Sequence, residues 1–205
     1  MVAGHPKVTG VVLAAGTSSR MGRPKQLLDL GGRSVLQRVL DAAVSSPLDA
    51  MVVVLGHAAE EVAASLRLPA NAGLVINEEF AEGQSMSMKA GLRAVEPQSA
   101  AALFLLGDQP EVRPEAIAAV VGAYRGGAGP VVQASYTGRP AHPTLFDRSV
   151  WAELEAAAGD EGARGVLARH PRWRSVVEVG GTPPADIDTE EGYAAALRRF
   201  EIQSP

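Results

Sequence analysis

Apolar and polar residues alternate along the chain with two periods, which predicts strands and helices in turn. Continuous apolar runs of strand length lie at residues 8–15, 51–55, 74–76, 101–106, 131–135 and 176–179. Apolar residues three and four positions apart, typical of amphipathic helices, recur at 34–45, 58–66, 87–95, 162–169 and about 189–200, after Pro114 and around Trp151. This alternation predicts an α/β protein, a three-layer α/β/α sandwich in which helices cover both faces of a mainly parallel, Rossmann-like sheet.

Particular residues mark helix starts and turns. Ser34 and Gln37 have the spacing of a capping box, in which each side chain accepts a hydrogen bond from the backbone N–H of the other residue. Ser85 is predicted to cap the helix that follows it. Residues 136–140 predict a turn, because a glycine and a proline interrupt the apolar pattern there.

The composition restricts the class of protein. At 205 residues and 46% hydrophobic content, the chain suits one core, so we expect a single domain over residues 1–205. No apolar run is long enough to cross a bilayer and the start lacks the apolar region of a secretory signal, so we expect no membrane contact and a cytoplasmic location. A net charge of −4 with only 4% aromatic residues argues against a nucleic-acid surface and favours a small-molecule partner.

The segment after the first predicted strand carries the strongest chemical signal. From Leu13 to Lys25 it reads L-A-A-G-T-S-S-R-M-G-R-P-K. Its small residues allow backbone N–H groups to approach phosphate oxygens. Five residues between Gly16 and Gly22 exclude both the P-loop and the dinucleotide fingerprint. Three cations lie in the same segment: Arg20, Arg23 and Lys25. The segment therefore predicts a triphosphate-binding loop.

One carboxylate is a candidate ligand of a divalent cation. The chain has no cysteine, which excludes sulfur-bound zinc and leaves an oxygen-ligated Mg²⁺ as the natural candidate. Asp108 follows the apolar run 101–106, and open α/β sheets bind ligands at the carboxyl ends of their strands; its alternative role is to cap the turn before Pro110. Asp188 precedes the last helix, and its spacing to Glu191 is that of an N-cap residue and the third residue of a helix.

Five separated segments resemble the MobA-like NTP transferase family, and in particular its molybdenum cofactor cytidylyltransferase, or MocA-type, branch. The first matches the signature L-A-A-G-x-S-x-R-M-G-x-x-K, and residues 107–110 read G-D-Q-P as in the cytidylyltransferase branch. The others are the Asn, Gly, Ser and Gly-Leu positions of 77–92, G-x-P-x-H-P at 138–143 and D-I-D-T at 186–189.

The resemblance implies a fold of the nucleotide-diphospho-sugar transferase type and Mg²⁺-dependent transfer of CMP from CTP to the molybdopterin-bound molybdenum cofactor, with release of pyrophosphate. It assigns catalysis to Arg20, Lys25 and Asp108, and metal binding to Asp108 and Asp188. It also implies transient contact with a molybdoenzyme or its maturation factor. The nucleotide-binding residues that it implies are Leu13, Ala14, Ala15, Gly16, Thr17, Ser18, Ser19, Arg20, Lys25, Gly83, Ser87 and Asp108.

The acceptor side is less defined. His142 is assigned to the acceptor, as a donor to its phosphate, although a lone histidine is more often structural. Residues 159–165 are a second candidate, as an anion-holding turn near the acceptor; the other histidines, His5, His57 and His170, belong to no motif. Ala15 stands where relatives that use GTP carry glycine, so its methyl group predicts a preference for the smaller cytosine.

Two alternatives to this function stay open. In the first, the protein is a nucleotidyltransferase whose acceptor is a different phosphorylated compound, such as a sugar phosphate or a phosphorylated alcohol. In the other, the protein is a non-catalytic nucleotide-binding module that delivers a cofactor, which has no need of the two metal-binding carboxylates.

Overall fold

The structure is a computed structural model and describes residues 4–18, 20–159 and 162–202. Strands and helices alternate along this part of the chain. The strands are β1 (Val8–Ala14), β2 (Ala50–Leu55), β3 (Ala72–Ile76), β4 (Ala101–Leu106), β5 (Val131–Tyr136), β6 (Arg139–Asp147) and β7 (Arg174–Glu178). The helices are α1 (Val35–Val44), α2 (Ala59–Ser65), α3 (Gln84–Ala94), α4 (Pro114–Arg125), α5 (Trp151–Ala156), α6 (Gly162–Arg169) and α7 (Glu190–Ile202).

The strands form one sheet in the order β3-β2-β1-β4-β6-β5-β7. Only β6, among the strands described, runs antiparallel to its neighbours β4 and β5. The predicted α/β/α architecture with a mainly parallel sheet is therefore confirmed. The chain first builds the sheet from β1 towards β3 and then returns through α3 to add β4 on the other side of β1. The order thus reverses between β1 and β4, which is where open α/β sheets bind ligands.

Strand β6 corrects one sequence prediction. Residues 136–140 were expected to form only a turn, but the turn is confined to 137–138 and Arg139 already begins β6. The prolines of this segment argued against a strand. The pairing shows how they are accommodated: Gln133 pairs with Thr144 and the next residue, Ala134, pairs with Ala141, so His142 and Pro143 form a bulge.

The helices divide between the two faces of the sheet according to the alternation of the strands. Val8 and Val12 of β1 belong to a core that includes apolar residues of α1, α2 and α4. Val11, which points to the opposite face, belongs to a second core with residues of α3, α5 and α6. Both faces are thus covered, as the continuous apolar strands predicted.

Helix α7 packs against neither of these cores. Ile187 and Ala196 join Met21, Leu28 and Leu30 in a third, smaller cluster, so the end of the described chain lies against the loop that follows β1. No helix in the described ranges combines the length and the apolar character needed to cross a bilayer.

The helix caps differ in part from the predictions. The Ser34 hydroxyl accepts from the Gln37 N–H at 3.2 Å, as expected for α1. The Gln37 side chain does not complete the capping box, because its oxygen accepts from the backbone N–H of Arg67 at 2.9 Å. The prediction for Ser85 is wrong: α3 begins at Gln84, and Ser85 is a buried residue of its first turn.

Helix α7 is capped by a residue that the sequence analysis did not consider. The Thr189 hydroxyl accepts from the Gly192 N–H at 3.1 Å. The alternative role proposed for Asp188, N-capping with Glu191, is therefore wrong. The Asp188 carboxylate contacts cations instead.

Candidate active site

A cleft of about 630 Å³ opens at the carboxyl ends of β1 and β4. Its walls are contributed by segments that are far apart in the sequence. They comprise residues 13–17, 25–26, 80–81, 83–84, 87–88, 104, 106–109, 141–142, 162–164 and 186. The fold therefore joins in one cavity all five segments that carry the family resemblance.

A buried glutamine shapes the loop after β1. The side-chain amide of Gln26, which is 2% exposed, donates to the carbonyl oxygens of Ala14 and Gly16 at 2.9 and 3.3 Å. A trans peptide directs its N–H opposite to its C=O. The N–H groups of Ala15 and Thr17, which share peptides with these two carbonyls, therefore point away from Gln26. On the same side, the Ser18 hydroxyl accepts from the backbone N–H of Lys25 at 3.1 Å. Gln26 and Ser18 thus hold the loop through its carbonyl oxygens and the Lys25 N–H, and leave those two N–H groups directed away from Gln26.

Gly107 brings the end of β4 against the end of β1. Its N–H donates to the carbonyl oxygen of Leu13 at 2.8 Å. A Cβ at this position would lie 2.8 Å from the Cβ of Ala14 and 3.0 Å from the Leu13 oxygen, so only glycine permits this approach. The contact places Asp108, the next residue, beside the loop.

Lys25 lies between two carboxylates. Its ammonium donates to Asp108 Oδ2 at 2.6 Å and to Asp188 Oδ1 at 2.7 Å, and its side chain is only 12% exposed. The carboxylates belong to residues 80 positions apart in the sequence, and the cation belongs to a third segment. Two carboxylates that converge on one cation form the electrostatic centre of the cleft.

The environment shifts the protonation equilibria of all three groups. Burial disfavours the ammonium, but Asp108 and Asp188 outweigh it, so the pKa of Lys25 lies above its usual value. Burial raises the pKa of the Asp108 carboxyl, the negative charges of Asp186 and Asp188 add to this effect, and Lys25 offsets it only in part. The hydrogen bond from Lys25 lowers the pKa of Asp188, which is more exposed. The positive charge near Asp108 is therefore too small to offset its burial and the neighbouring carboxylates.

The other two loop cations also contact the last segment. Arg20 donates to Asp188 Oδ2 at 3.0 Å, and Arg23 donates to both carboxylate oxygens of Glu190 at 3.1 and 3.2 Å. Both side chains are more than half exposed, so these ion pairs add little stability. Arg20 and Arg23 are thus exposed guanidinium groups at the edge of the cleft rather than on its walls.

Asp186, the first residue of the D-I-D-T segment, also lines the cleft, although it was not among the predicted site residues. Its Oδ1 accepts from the side-chain amide of Gln109 at 2.7 Å. The N–H of Ile187, whose side chain is buried in the third cluster, donates to the carbonyl oxygen of Asp108 at 3.0 Å. These bonds join the G-D-Q-P and D-I-D-T segments and fix the acidic side of the cleft.

His142 enters the cleft from the bulge in β6. Tyr136 donates its hydroxyl to the His142 carbonyl oxygen at 3.0 Å, and Nδ1 of the ring donates to the carbonyl oxygen of Phe104 at 3.4 Å. Burial lowers the pKa of His142, so the ring is neutral at pH 7 and Nε2 is left as an acceptor. In this state neither ring nitrogen has a proton free for a phosphate, so the donor role, which stays a prediction, would require protonation of Nε2. Arg164, an exposed cation of the same wall, is better suited to an anion.

The loop between β3 and α3 is closed by a pair of buried polar side chains. The amide of Asn77 donates to the Ser87 hydroxyl at 3.0 Å. Asn77 also accepts from the Glu79 N–H at 3.1 Å through its side-chain oxygen. Gly83, with a φ of 115°, ends the loop at the start of α3 in a conformation that glycine adopts readily. Ser87 therefore serves as a brace as well as a residue of the cleft wall.

Most predicted site residues line the cleft, and the rest adjoin it. The lining includes Leu13, Ala14, Ala15, Gly16, Thr17, Lys25, Gly83, Ser87, Asp108 and His142. Ser18 lies behind the loop, while Arg20 and Asp188 form an ion pair at its edge. Ser19 lies outside the described residues, as do Asp160 and Glu161 of the predicted anion-holding turn.

Besides Asp186, three further groups of the site were missed in the sequence. Gln26 and Gln109 each follow a selected residue, Lys25 and Asp108, and a polar side chain next to a motif was the only signal for them. Phe80, an aromatic residue on the cleft wall, was hidden because a single aromatic in a loop has no periodic pattern.

Comparison with known proteins places this geometry in a family. Residues 10–173 match the family described as the MobA-like NTP transferase domain. The chain is similar to nicotine blue oxidoreductase of Paenarthrobacter nicotinovorans, with 30% identity over 91% of this chain and 94% of that protein. It is also similar to the purine catabolism protein PucB of Bacillus subtilis strain 168, with 32% identity over 94% of this chain and 97% of that protein.

Solved structures agree with the described fold. A homologue of Mycobacterium tuberculosis Rv0371c, from Mycobacterium sp. strain JC1, has a TM-score of 0.87 and 32% identity, covering 96% of this chain and 98% of that chain. Rv0371C of M. tuberculosis H37Rv in complex with manganese has a TM-score of 0.80 and 30% identity, covering 95% of this chain and 100% of that chain. The fold is that of the nucleotide-diphospho-sugar transferases, as expected.

Proposed function

The chain belongs to the MobA-like NTP transferase family, and we propose that this nucleotidyltransferase transfers CMP from CTP to the molybdopterin-bound molybdenum cofactor. One observation carries the proposal: the Lys25 ammonium lies 2.6 and 2.7 Å from the carboxylates of Asp108 and Asp188, where the phosphate loop meets the strand ends. Such a site suits chemistry in which negative charge is positioned and balanced, without a covalent intermediate.

In the proposed reaction, a phosphate oxygen of the acceptor attacks the α-phosphorus of CTP. A P–O bond forms there, the bond between the α-phosphorus and the bridging oxygen breaks, and pyrophosphate leaves with the electron pair. Arg20, Lys25 and the N–H groups of the loop hold the triphosphate. To do so, both cations exchange a carboxylate partner for phosphate oxygens.

A divalent cation fits the same carboxylates. Their oxygens already converge on one positive charge, the ammonium of Lys25, and hard oxygen donors suit Mg²⁺ or Mn²⁺. No cluster of three or more His, Cys, Asp or Glu residues in the described ranges is arranged to hold a metal. Asp108 and Asp188 would therefore be the protein's ligands, and the nucleotide and solvent would have to supply the others. When bound, the metal neutralises charge on the phosphates. The mycobacterial relative in complex with manganese supports this choice.

The experiment that tests the proposal is a panel of CTP, GTP, UTP and ATP with Mg²⁺, offered to molybdopterin-type, sugar-phosphate and phosphorylated-alcohol acceptors and scored by pyrophosphate release. We expect turnover with CTP and the molybdopterin acceptor, at least tenfold above GTP because of the Ala15 methyl group, and a narrower ratio in Ala15→Gly. Turnover with another phosphorylated acceptor instead identifies that acceptor, and nucleotide binding without turnover identifies a delivery module.

The carboxylate assignment is tested in the same assay. Asp108→Asn keeps the shape of the side chain but removes its charge, so we expect turnover to fall at least about 10²-fold. Asp41→Asn, a surface change on α1, is the matched control and keeps activity. Near-normal turnover in Asp108→Asn contradicts the assignment.

The name of one relative, nicotine blue oxidoreductase, gives a second candidate, an oxidoreductase activity. The 30% identity to nicotine blue oxidoreductase favours it. The spacing of Gly16 and Gly22 does not match the dinucleotide fingerprint. Substrate-dependent consumption of NADH or NADPH by the purified chain, without added nucleoside triphosphate, distinguishes this candidate.

A further inference from the structure

Phe80 presents an aromatic side chain to the cleft. It begins the short 3₁₀ turn Phe80–Glu82, and its side chain is half-buried on the cleft wall. Phe104 also lies at the wall but is 2% exposed and packs edge-on against Phe146, with ring centroids 5.8 Å apart. Of these two phenylalanines, Phe80 is the one with surface to offer a ligand.

The loop that follows β1 forms the part of the cleft wall next to Phe80. A Cβ at Gly56 would lie 2.7 Å from the Cβ of Phe80 and 2.9 Å from the Cβ of Ala15. Phe80 and Ala15 are therefore neighbours, packed over a glycine that leaves room for both. His57 contacts the far side, edge-on to Phe80 with ring centroids 6.2 Å apart. Phe80 is thus positioned by residues of β1 and β2 loops as well as by its own turn.

The turn itself is anchored at both ends. The Asn77 N–H donates to the carbonyl oxygen of Leu55 at 2.7 Å, and the Asn77 side chain binds Ser87 at 3.0 Å. Asn77 and Ser87 are 5% and 6% exposed, so water competes little for this bond. These contacts hold the segment between Asn77 and Ser87, so the Phe80 ring keeps its position without a ligand.

Charge divides the cleft into two ends. Arg20 and Lys25 lie at the end where Asp108 is found, whereas the turn that carries Phe80 has the exposed carboxylates Glu78, Glu79 and Glu82. Asp108 and Asp188 offset the charges of Arg20 and Lys25 in the free protein, but these two side chains and the N–H groups of the loop are donors that a triphosphate can bind, whereas the acidic turn offers it no cation. The part of a nucleotide that is left to face Phe80 is its uncharged base.

We propose that Phe80 is the stacking platform of the nucleobase, a binding residue whose role rests on the proposed function as a nucleotidyltransferase. Every base has a π-face, so stacking on Phe80 adds affinity for any nucleoside triphosphate over inorganic tripolyphosphate. Selection between bases is left to neighbours such as Ala15.

The test compares the affinities of CTP, GTP and inorganic tripolyphosphate by calorimetry, in the presence of Mg²⁺, for the full chain and its variants. Phe80→Leu keeps an apolar side chain but removes the ring, and we expect CTP and GTP to bind about tenfold more weakly while tripolyphosphate is unchanged. Phe200→Leu makes the same change on α7, outside this cleft, and leaves all three affinities unchanged.

Phe80→Trp gives an independent readout. The larger ring retains stacking, so CTP and GTP bind at least as tightly as in the wild type. CTP, but not tripolyphosphate, quenches the additional indole fluorescence relative to the wild-type background of Trp151 and Trp173.

Three outcomes overturn the inference: unchanged CTP affinity in Phe80→Leu, equal weakening of CTP and tripolyphosphate, or a wild type that binds both equally well. Equal weakening identifies Phe80 as a residue that only holds the loop. The test needs no acceptor, so a chain that binds CTP through Phe80 but transfers CMP to nothing refutes the proposed function and leaves the inference standing.

Discussion

At the scale of single residues, the position of Lys25 explains why the cleft is stable before any ligand binds. Its ammonium balances two carboxylates that otherwise repel each other. The chemistry proposed here requires the same cation to bind phosphate. A divalent ion bound with the triphosphate would be held by the two carboxylates and would supply the positive charge that Lys25 no longer provides.

Lys25→Met tests this exchange through stability. Methionine fills the same space without a charge, so we expect the free energy of unfolding in EDTA to fall by about 2 kcal/mol. Millimolar Mn²⁺ should then raise the melting temperature of the variant more than that of the wild type, because the metal replaces the missing cation. Lys7→Met, at an exposed position before β1, is the control. An equal response to Mn²⁺ in the wild type and Lys25→Met argues against a shared cation position.

His142 predicts a pH dependence of stability. Burial lowers the pKa of His142 in the folded state, so below a pH of about 6.5 the unfolded chain binds a proton that the folded chain does not. This contribution to stability is therefore complete above pH 6.5 and is lost as the pH falls. We expect the wild type to lose about 1 kcal/mol more than His142→Asn between pH 7.5 and 5.5.

Proton NMR of the imidazole C–H groups checks the same point directly. The resonance that disappears in His142→Asn should titrate with a midpoint below 6.5. A midpoint at or above this value contradicts the neutral ring and restores a donor role towards phosphate.

At the scale of elements, the short segment before α7 combines three functions in consecutive residues. Asp186 lines the cleft, Ile187 is buried in the third cluster and Asp188 binds Lys25 and Arg20. The buried isoleucine fixes the two acidic residues on either side of it. Thr189 then starts the helix. The cap and the charge contacts are thus divided between neighbouring residues.

Thr189→Ala is expected to lower the free energy of unfolding by about 1 kcal/mol, because the Gly192 N–H loses its acceptor. Thr189→Ser keeps the hydroxyl and should lose much less. Urea unfolding of both variants and of Asp188→Asn separates the two roles. If Asp188→Asn shows the helix-capping loss and Thr189→Ala does not, the cap is at Asp188 after all.

The strength of an element's own apolar pattern explains which elements were predictable from the sequence. Helix α1 and strands β1, β2 and β4 were predicted within a few residues, because each has a strong apolar pattern of its own. Strand β6 was missed because its pairing depends on a bulge at His142 and Pro143, which becomes visible only when β4 and β5 lie on either side.

At the scale of the whole molecule, the site depends on how closely β1 and β4 approach at their carboxyl ends. Gly107→Ala introduces a methyl group 2.8 Å from the Ala14 Cβ, and we expect it to cost about 1–3 kcal/mol of stability and to lower turnover by displacing Asp108. Gly122→Ala, on the exposed face of α4 with nothing within 4 Å of the new Cβ, should instead be neutral or stabilise by up to about 1 kcal/mol. Denaturant unfolding of both variants checks this pair, and equal effects contradict the role of the close approach.

The sequence by itself determined the class of fold and marked the loop after β1 as the candidate for phosphate binding. Both follow from local information: the periods of apolar residues specify strands and helices, and a run of small and cationic residues after a strand specifies an anion-binding loop at any place in a sheet. The tertiary structure alone decided that Lys25 lies between Asp108 and Asp188, that Gln26 holds the loop from behind, and that Phe80 stands beside Ala15. These contacts join segments up to 163 positions apart, and only the order of the strands decides which distant loops share one edge of the sheet.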